Sequence, residues 1–290
     1  IIEDLYIMPA ILTSSISAIS AAQFVNNILN DESNIYIAVG GDASHPWDNE
    51  NVPPIPVDSI KDEKTFRENL IGIKRINVAN VMLMVPRTQW APGMTFNVLS
   101  ETNQAPRKAT DYYCLTSNNF VYQCIGKTAD GIITTVGSEP DLKVESMQTA
   151  DGYTWKFLYN ITTKMVNDGM LVDDWMPVPY NKHGVYPGGT ITEDQNSYGD
   201  VNANWTLGAF RVLITIELAD EGEVIPYDTE FRQVGLLYDP QDAEGNFIAG
   251  SSYAKADFDA QSGRLFYLEN KRVIKREEGQ SELLHVLLSF

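Results

Sequence analysis

The groups able to do chemistry in this chain of 290 residues are few and scattered. Asp173-Asp174-Trp175 sets two carboxylates beside a ring that could stack on a sugar. A glycosidase needs its two carboxylates on opposite sides of one bond, and sequence neighbours do not supply that by themselves. The plainer reading is a solvated turn beside an anchoring tryptophan. Asp242, Glu244 and Asn246, within DPQDAEGN, have the alternate spacing that opens an EF-hand loop. Gly245 falls inside that ligand run and no glutamate stands at the twelfth position, so an acidic turn is the simpler reading. Cys114 and Cys124 lack the second pair that a zinc site needs, and His45, His183 and His285 are far apart. His285, inside LLHVLLSF, reads as a strand residue, and His45, before Pro46, as a loop residue. The cysteines read as small core residues, with a Cys–His nucleophile as the alternative. GxxxxGK[ST], GxGxxG after a strand and the GxSxG elbow are all missing. The expectation is a protein that is not an enzyme, with no catalytic residue, no cofactor and no metal.

The balance of charge points the same way. Asp and Glu number 39 against 21 Lys and Arg, a net charge of −18. Such a surface repels nucleic acid and anionic lipid, and suits docking onto basic patches of a protein. No run of 18 apolar residues occurs, which predicts no membrane-spanning helix. The opening IIEDLYIMPA lacks a basic stretch, which predicts no signal peptide. Two thiols argue against a disulfide framework and fit a reducing compartment.

The elements that must position these side chains are mostly strands. In DGYTWKFLYNI, Tyr153, Trp155, Phe157, Tyr159 and Ile161 alternate with Thr154, Lys156 and Asn160, Leu158 being the exception. A strand repeats every two residues, so one face collects four aromatics and an isoleucine. That predicts a central strand with its heavy face on the core or on a partner. Ala18, Ala21, Ala22, Val25, Ile28 and Leu29 predict a helix over 17–29 with Ser17 as N-cap. Asn34 to Gly41 reads as a buried strand, and the following prolines, at 46, 53, 54 and 56, as a long loop. A second helix starts at Ser59, with Asp62 placed for a capping box and Phe66, Leu70 and Ile73 as its stripe. Arg75 to Arg87 is a strand apolar on both faces. Asp111 to Lys127 is a hairpin turning at Ser117-Asn118-Asn119, with one cysteine in each arm. Residues from Lys182 to Trp205 read as loop, and alternation returns from Phe210 to Leu218. Phe231 to Pro240, RLFYLEN and ELLHVLLSF are further strands, with basic RVIKR between the last two.

Two helices and eight to ten strands joined by turns predict a mainly β fold. The architecture expected is a layered antiparallel β-sandwich with two helices carried on peripheral N-terminal loops. Residues 1–290 form a single protein in this reading, with a helix-bearing part over about 1–75 and a β-sandwich core over about 76–290.

Several stretches carry a resemblance in the same order along the chain. They are ILTSSISAISAAQFVNNI, HPWDNENVPPIPVDS, VPRTQWAPG, DYYCLTSNNFVYQCIG, DGYTWKFLYNI, FRQVGLLYDP and SGRLFYLENKRVI…LLHVLLSF. Together they resemble the baseplate wedge subunit of contractile-tailed bacteriophages related to the T-even group, their gene-eight product. This chain departs by brevity, between Lys127 and Ala150 and after Pro240. The resemblance implies a structural virion protein of the tail baseplate, made in the host cytoplasm. It implies a homodimer in each wedge that joins neighbouring wedge proteins, and a part in the rearrangement that triggers sheath contraction. Aromatics in loops are the expected interface anchors: Trp47, Trp90, Trp175 and Tyr180. The competing reading is a carbohydrate-binding or glycan-cleaving tail module built on Asp173 to Trp175.

Overall fold

The computed structural model describes residues 14–29, 34–41, 46–98, 112–172, 174–178, 185–186, 189–190, 211–219, 225–227 and 229–290. The chain runs α1 (Ser14–Leu29), β1 (Ile35–Gly40), α2 (Ile60–Glu68), β2 (Leu70–Arg75), β3 (Val81–Pro86), β4 (Tyr113–Leu115) and β5 (Phe120–Lys127). It continues β6 (Met147–Gln148), β7 (Tyr153–Asn160), α3 (Thr163–Asn167), β8 (Trp175–Val178), β9 (Val185–Tyr186) and β10 (Gly189–Thr190). The last elements are β11 (Arg211–Leu218), β12 (Glu230–Tyr238), β13 (Ser252–Ala254), β14 (Arg264–Lys275) and β15 (Glu282–Ser289). The fold is mainly β, with antiparallel sheets and, among the described residues, no closed barrel. The sheet orders are β13-β2-β1-β12-β14, β4-β5-β7-β6 and β15-β11-β3-β8, beside the small β10-β9 pair.

The chain divides into two compact units, each assembled from separate segments. The first comprises Ile1–Phe24, Met82–Leu213 and Leu287–Phe290. Here the alternating aromatic strand is β7, between β5 and β6, with Cys124 opposite Trp155. Its heavy face is fully used in the core: Tyr153, Trp155, Phe157, Tyr159 and Ile161 are all buried. The rings meet edge to face, as their quadrupoles favour, with Phe96 and Trp155 centroids 5.0 Å apart at 80°. Two of their polar edges find partners, while the buried Tyr159 hydroxyl meets none among the described residues. Trp155 Nε1 donates to Thr149 Oγ1 at 3.1 Å, and the Tyr153 hydroxyl donates to the Ile132 carbonyl at 2.6 Å. The hairpin of β4 and β5 turns through Asn119, whose φ of 59° is a left-handed conformation that asparagine tolerates. Both cysteines are buried and free, one in each arm.

The second unit comprises Val25–Val81 and Ile214–Val286. β1 lies at the middle of its sheet, and every residue of β1 is buried. α2 covers this sheet through Phe66, which packs in a cluster with Tyr36, Ala38, Leu70, Ile73 and Leu237. The approach is so close that a Cβ on Gly235 of β12 would stand 2.6 Å from the Phe66 ring. Arg67, one residue on, is also buried and donates to the carbonyls of Ala260, Ser262 and Gly263 at 2.7–3.0 Å.

Several boundaries differ from the sequence reading. α1 starts at Ser14, so Ser17 is a buried helical residue rather than the cap. Thr13, Ser14, Ser15 and Ser17 offer nearly equivalent capping hydroxyls, and local propensity does not choose among them. α2 does begin after Ser59, whose Oγ accepts the Asp62 N–H at 3.1 Å. The box is only half made, because the Asp62 carboxylate accepts from Val57 N–H instead. α2 also stops at Glu68, and Leu70 and Ile73 belong to β2. Gly72 weakens a helix there and lets the β13 backbone approach, with Tyr253 O at 3.0 Å from where its Cβ would be. The segment read as one strand from Arg75 is a strand end, a short 3-10 turn and then β3. α3 is a short helix without a counterpart in the sequence reading; it is capped by Thr162, whose Oγ1 accepts from Met165 N–H. RVIK is not a connector but the end of β14. Described strands number fifteen, and β4, β6, β9, β10 and β13 span only two or three residues, too short to show a period. Phe210 and most of the stretch from Lys182 to Trp205 lie outside the described residues.

Candidate protein interface

Each expected anchor has a distinct setting. Trp47 opens the proline-rich loop of residues 46–59 and is half-buried. Its indole Nε1 donates to the Lys271 carbonyl at 2.9 Å, and its backbone N–H donates to Glu50 Oε1 at 3.0 Å. Glu50 in turn accepts from the buried Arg232 at 3.1 Å. Trp47 therefore holds its own loop down. Trp90 is half-buried against the cluster of Phe96, Cys114, Tyr122 and Trp155. Its Nε1 is buried, and no acceptor among the described residues reaches it. Trp175 is on β8 rather than in a loop, opposite Pro86 of β3. The Arg211 guanidinium sits 4.0 Å above its ring, a cation–π contact that occupies one face. Partial burial there lowers the Arg211 pKa. Tyr180 lies outside the described residues. None of these three expected anchors, Trp47, Trp90 and Trp175, is an exposed side chain.

Exposed apolar groups lie elsewhere, among them Val136 at 86% and the aromatic Phe247 at 64%, and four aliphatics stand close together in sequence. Ile55 is 89% exposed, Ile60 87%, Val52 67% and Val57 65%, all within or beside the loop of residues 46–59. The loop is held from behind by three consecutive residues of β14. Asn270 Nδ2 donates to the Pro54 carbonyl at 2.9 Å, the Lys271 carbonyl accepts from Trp47, and Arg272 Nε donates to the Asn51 carbonyl at 3.2 Å. The signal available in sequence was the proline run with aliphatics between, which sequence reading takes only as a helix and strand breaker.

No family model matches this chain. The baseplate wedge protein gp8 of Enterobacteria phage T4 is 23% identical to it over 335 aligned residues, covering 97% of the chain and 97% of the relative. This chain is a distant relative of that baseplate wedge protein. The baseplate kinship spans both units and not one module. An alignment of 335 positions over a chain of 290 also requires gaps in this chain, in keeping with its brevity.

Among the described residues, the groups singled out for chemistry have these settings. Asp174 is exposed and its carbonyl accepts from Arg87 N–H at 2.9 Å, while Asp173, His45 and His183 lie outside the described residues. Burial pushes the Cys124 thiol up to about 11 and the Cys114 thiol well above its usual range, so neither is a ready nucleophile. His285 is on β15; burial first, then Lys271, lowers its pKa. Asp242 turns inward on its own loop, its Oδ1 accepting the N–H groups of Asn246 at 2.8 Å and Glu244 at 3.0 Å. Those bonds, that of Asn246 first, lower its pKa. The cleft lined by Thr128, Gln148, Thr149, Ala150, Asp151 and Gly152 is open and holds one carboxylate. No described helix is long and apolar enough to cross a membrane.

Proposed function

We propose that this chain is a structural subunit of a phage tail baseplate. The observation that carries the reading is kinship to a baseplate wedge protein along nearly the whole of both chains. In this reading it pairs with a second copy, links neighbouring wedge proteins, and shares in the rearrangement that precedes sheath contraction. Trp47, Trp90 and Trp175 serve it mainly as anchors that stiffen contact surfaces, with Tyr180 as a further contact residue. Support comes also from the side chains: among the described residues the cleft beside Gly152 holds a single carboxylate, while aliphatic groups stand in solvent on a pinned loop.

The test is cryo-electron microscopy of the intact tail, with light scattering on the purified chain. Density for the chain in each wedge, and a dimer at micromolar concentration, are expected. A chain missing from the tail would end the baseplate reading, and a strict monomer would end the dimer. The glycan-module reading has less support, because Arg211 already covers one face of Trp175. A glycan array and a reducing-sugar assay check it, and both are expected to be silent.

A further inference from the structure

The loop of residues 46–59 has an internal geometry that its role as a connector does not require. Proline fixes its own φ and pushes the residue before it toward extended conformations. Pro53, Pro54 and Pro56 therefore constrain every position from Val52 to Pro56. None of residues 53–57 is in a helix or strand. Exposure across this run repeats every three residues. Val52 and Ile55 are exposed, Pro53 and Pro56 are half-buried, and Pro54 and Val57 are exposed. Three residues per turn is the period of a polyproline II helix. In that geometry the half-buried ridge of Pro53 and Pro56 faces the protein, and Asn270 Nδ2 donates to the carbonyl of the exposed Pro54. The other two ridges face solvent, each carrying two apolar side chains about 9 Å apart.

We infer that Val52 to Val57 is a preformed polyproline II ligand that docks in an aromatic-lined groove on a different protein of the same assembly. Such grooves take two ridges of an extended proline-rich segment and gain because little chain entropy remains to be lost. Here the entropy has been removed in advance by the prolines and by the bonds from Asn270, Lys271 and Arg272. The loop carries Asp48, Glu50 and Asp58 and no Lys or Arg, so the groove that fits it has a basic rim. Lys61, the next basic residue, lies beyond it on α2. A second copy is a poor occupant, because it brings another net charge of −18. This inference rests on the baseplate reading for the identity of the assembly.

The experiment uses the full chain and the same phage's other tail proteins, purified one at a time. Binding of each is measured for the wild type, for Ile55→Asp with Val57→Asp, and for Pro53→Ala with Pro56→Ala. The expected result is one tail protein whose affinity falls at least tenfold with the aspartates and several-fold with the alanines. Thermal unfolding should be unchanged by the aspartates, because both side chains are in solvent. A photoreactive residue in place of Ile55 should then cross-link that protein at a site rich in Trp or Tyr and in Lys or Arg. Equal binding of wild type and variants to every tail protein would overturn the inference, and so would cross-links only to a second copy. Either result would leave the baseplate reading standing, since presence in the tail is judged independently by microscopy.

Discussion

At the scale of residues, burial decides which groups stay silent. The Cys124 thiol is raised from its ordinary 9.0 to about 11 and the Tyr36 hydroxyl from 10.0 to about 12, desolvation being the largest cause in both. An unfolded chain releases these protons first, so between pH 9 and 12 the folded state binds more of them. Stability is then present in full below pH 9 and lost as pH climbs through the folded values. Denaturant midpoints should hold steady up to pH 8 and fall at pH 10 and 11; a flat profile would contradict the burial. A thiol reagent at pH 8 should label neither cysteine in the native chain and both after unfolding. Arg67 makes a different case. Its planar fork serves three carbonyls at once, of Ala260, Ser262 and Gly263, and a lysine cannot reproduce that. Arg67→Lys should cost about 2 kcal/mol by urea denaturation, since buried acceptors lose their donors.

At the scale of elements, α2 sits on its sheet by virtue of one missing side chain. A methyl group on Gly235 would meet the Phe66 ring at 2.6 and 2.8 Å and Leu265 Cδ1 at 3.0 Å. Gly235→Ala should therefore destabilise by about 1–3 kcal/mol through overpacking. Phe66→Leu in the same chain should recover part of that loss, and a double-mutant cycle by denaturation reads the coupling. Additive costs would mean that the helix simply lifts away. β7 shows the opposite situation, where local pattern and packing agree. Its period of two was plain in the chemistry of the residues, and all five side chains of the heavy face are buried. α2 ended early because Phe66, Leu70 and Ile73 suit a helical stripe equally well as one helical and two strand positions facing one core. Spacing alone does not separate those cases.

At the scale of the whole molecule, the chain crosses itself repeatedly. β1 and β2, from the first quarter, pair with β12 and β13, from the last third: Ile35 faces Tyr238 and Ile73 faces Tyr253. A fragment of residues 76–290 loses β1 and β2 and bares the β12 edge along its length. That fragment should be insoluble or show no cooperative unfolding when expressed alone, whereas the intact chain should unfold with a sharp transition by circular dichroism. A well-folded fragment would show that the shared sheet is dispensable. The surplus of negative charge acts at this scale too: at −18 the chain should bind nucleic acid weakly even at low salt, which an electrophoretic mobility shift would check.

The sequence by itself determined what depends on neighbours along the chain. That covers the mainly β character, the hairpin at Asn119, the aromatic face of β7, the Ser59 cap and the kinship carried by collinear strands. These follow from side-chain periods of two and three and from residues whose backbone preferences are local. The tertiary structure alone decided which aromatics are buried and which aliphatics are not. Trp47 bonds to β14, Trp175 lies under Arg211, and Ile55 stands in solvent, each through residues 36 to 224 positions away or through their lack. Exposure is a property of what else reaches a side chain, and that is settled only when distant segments meet.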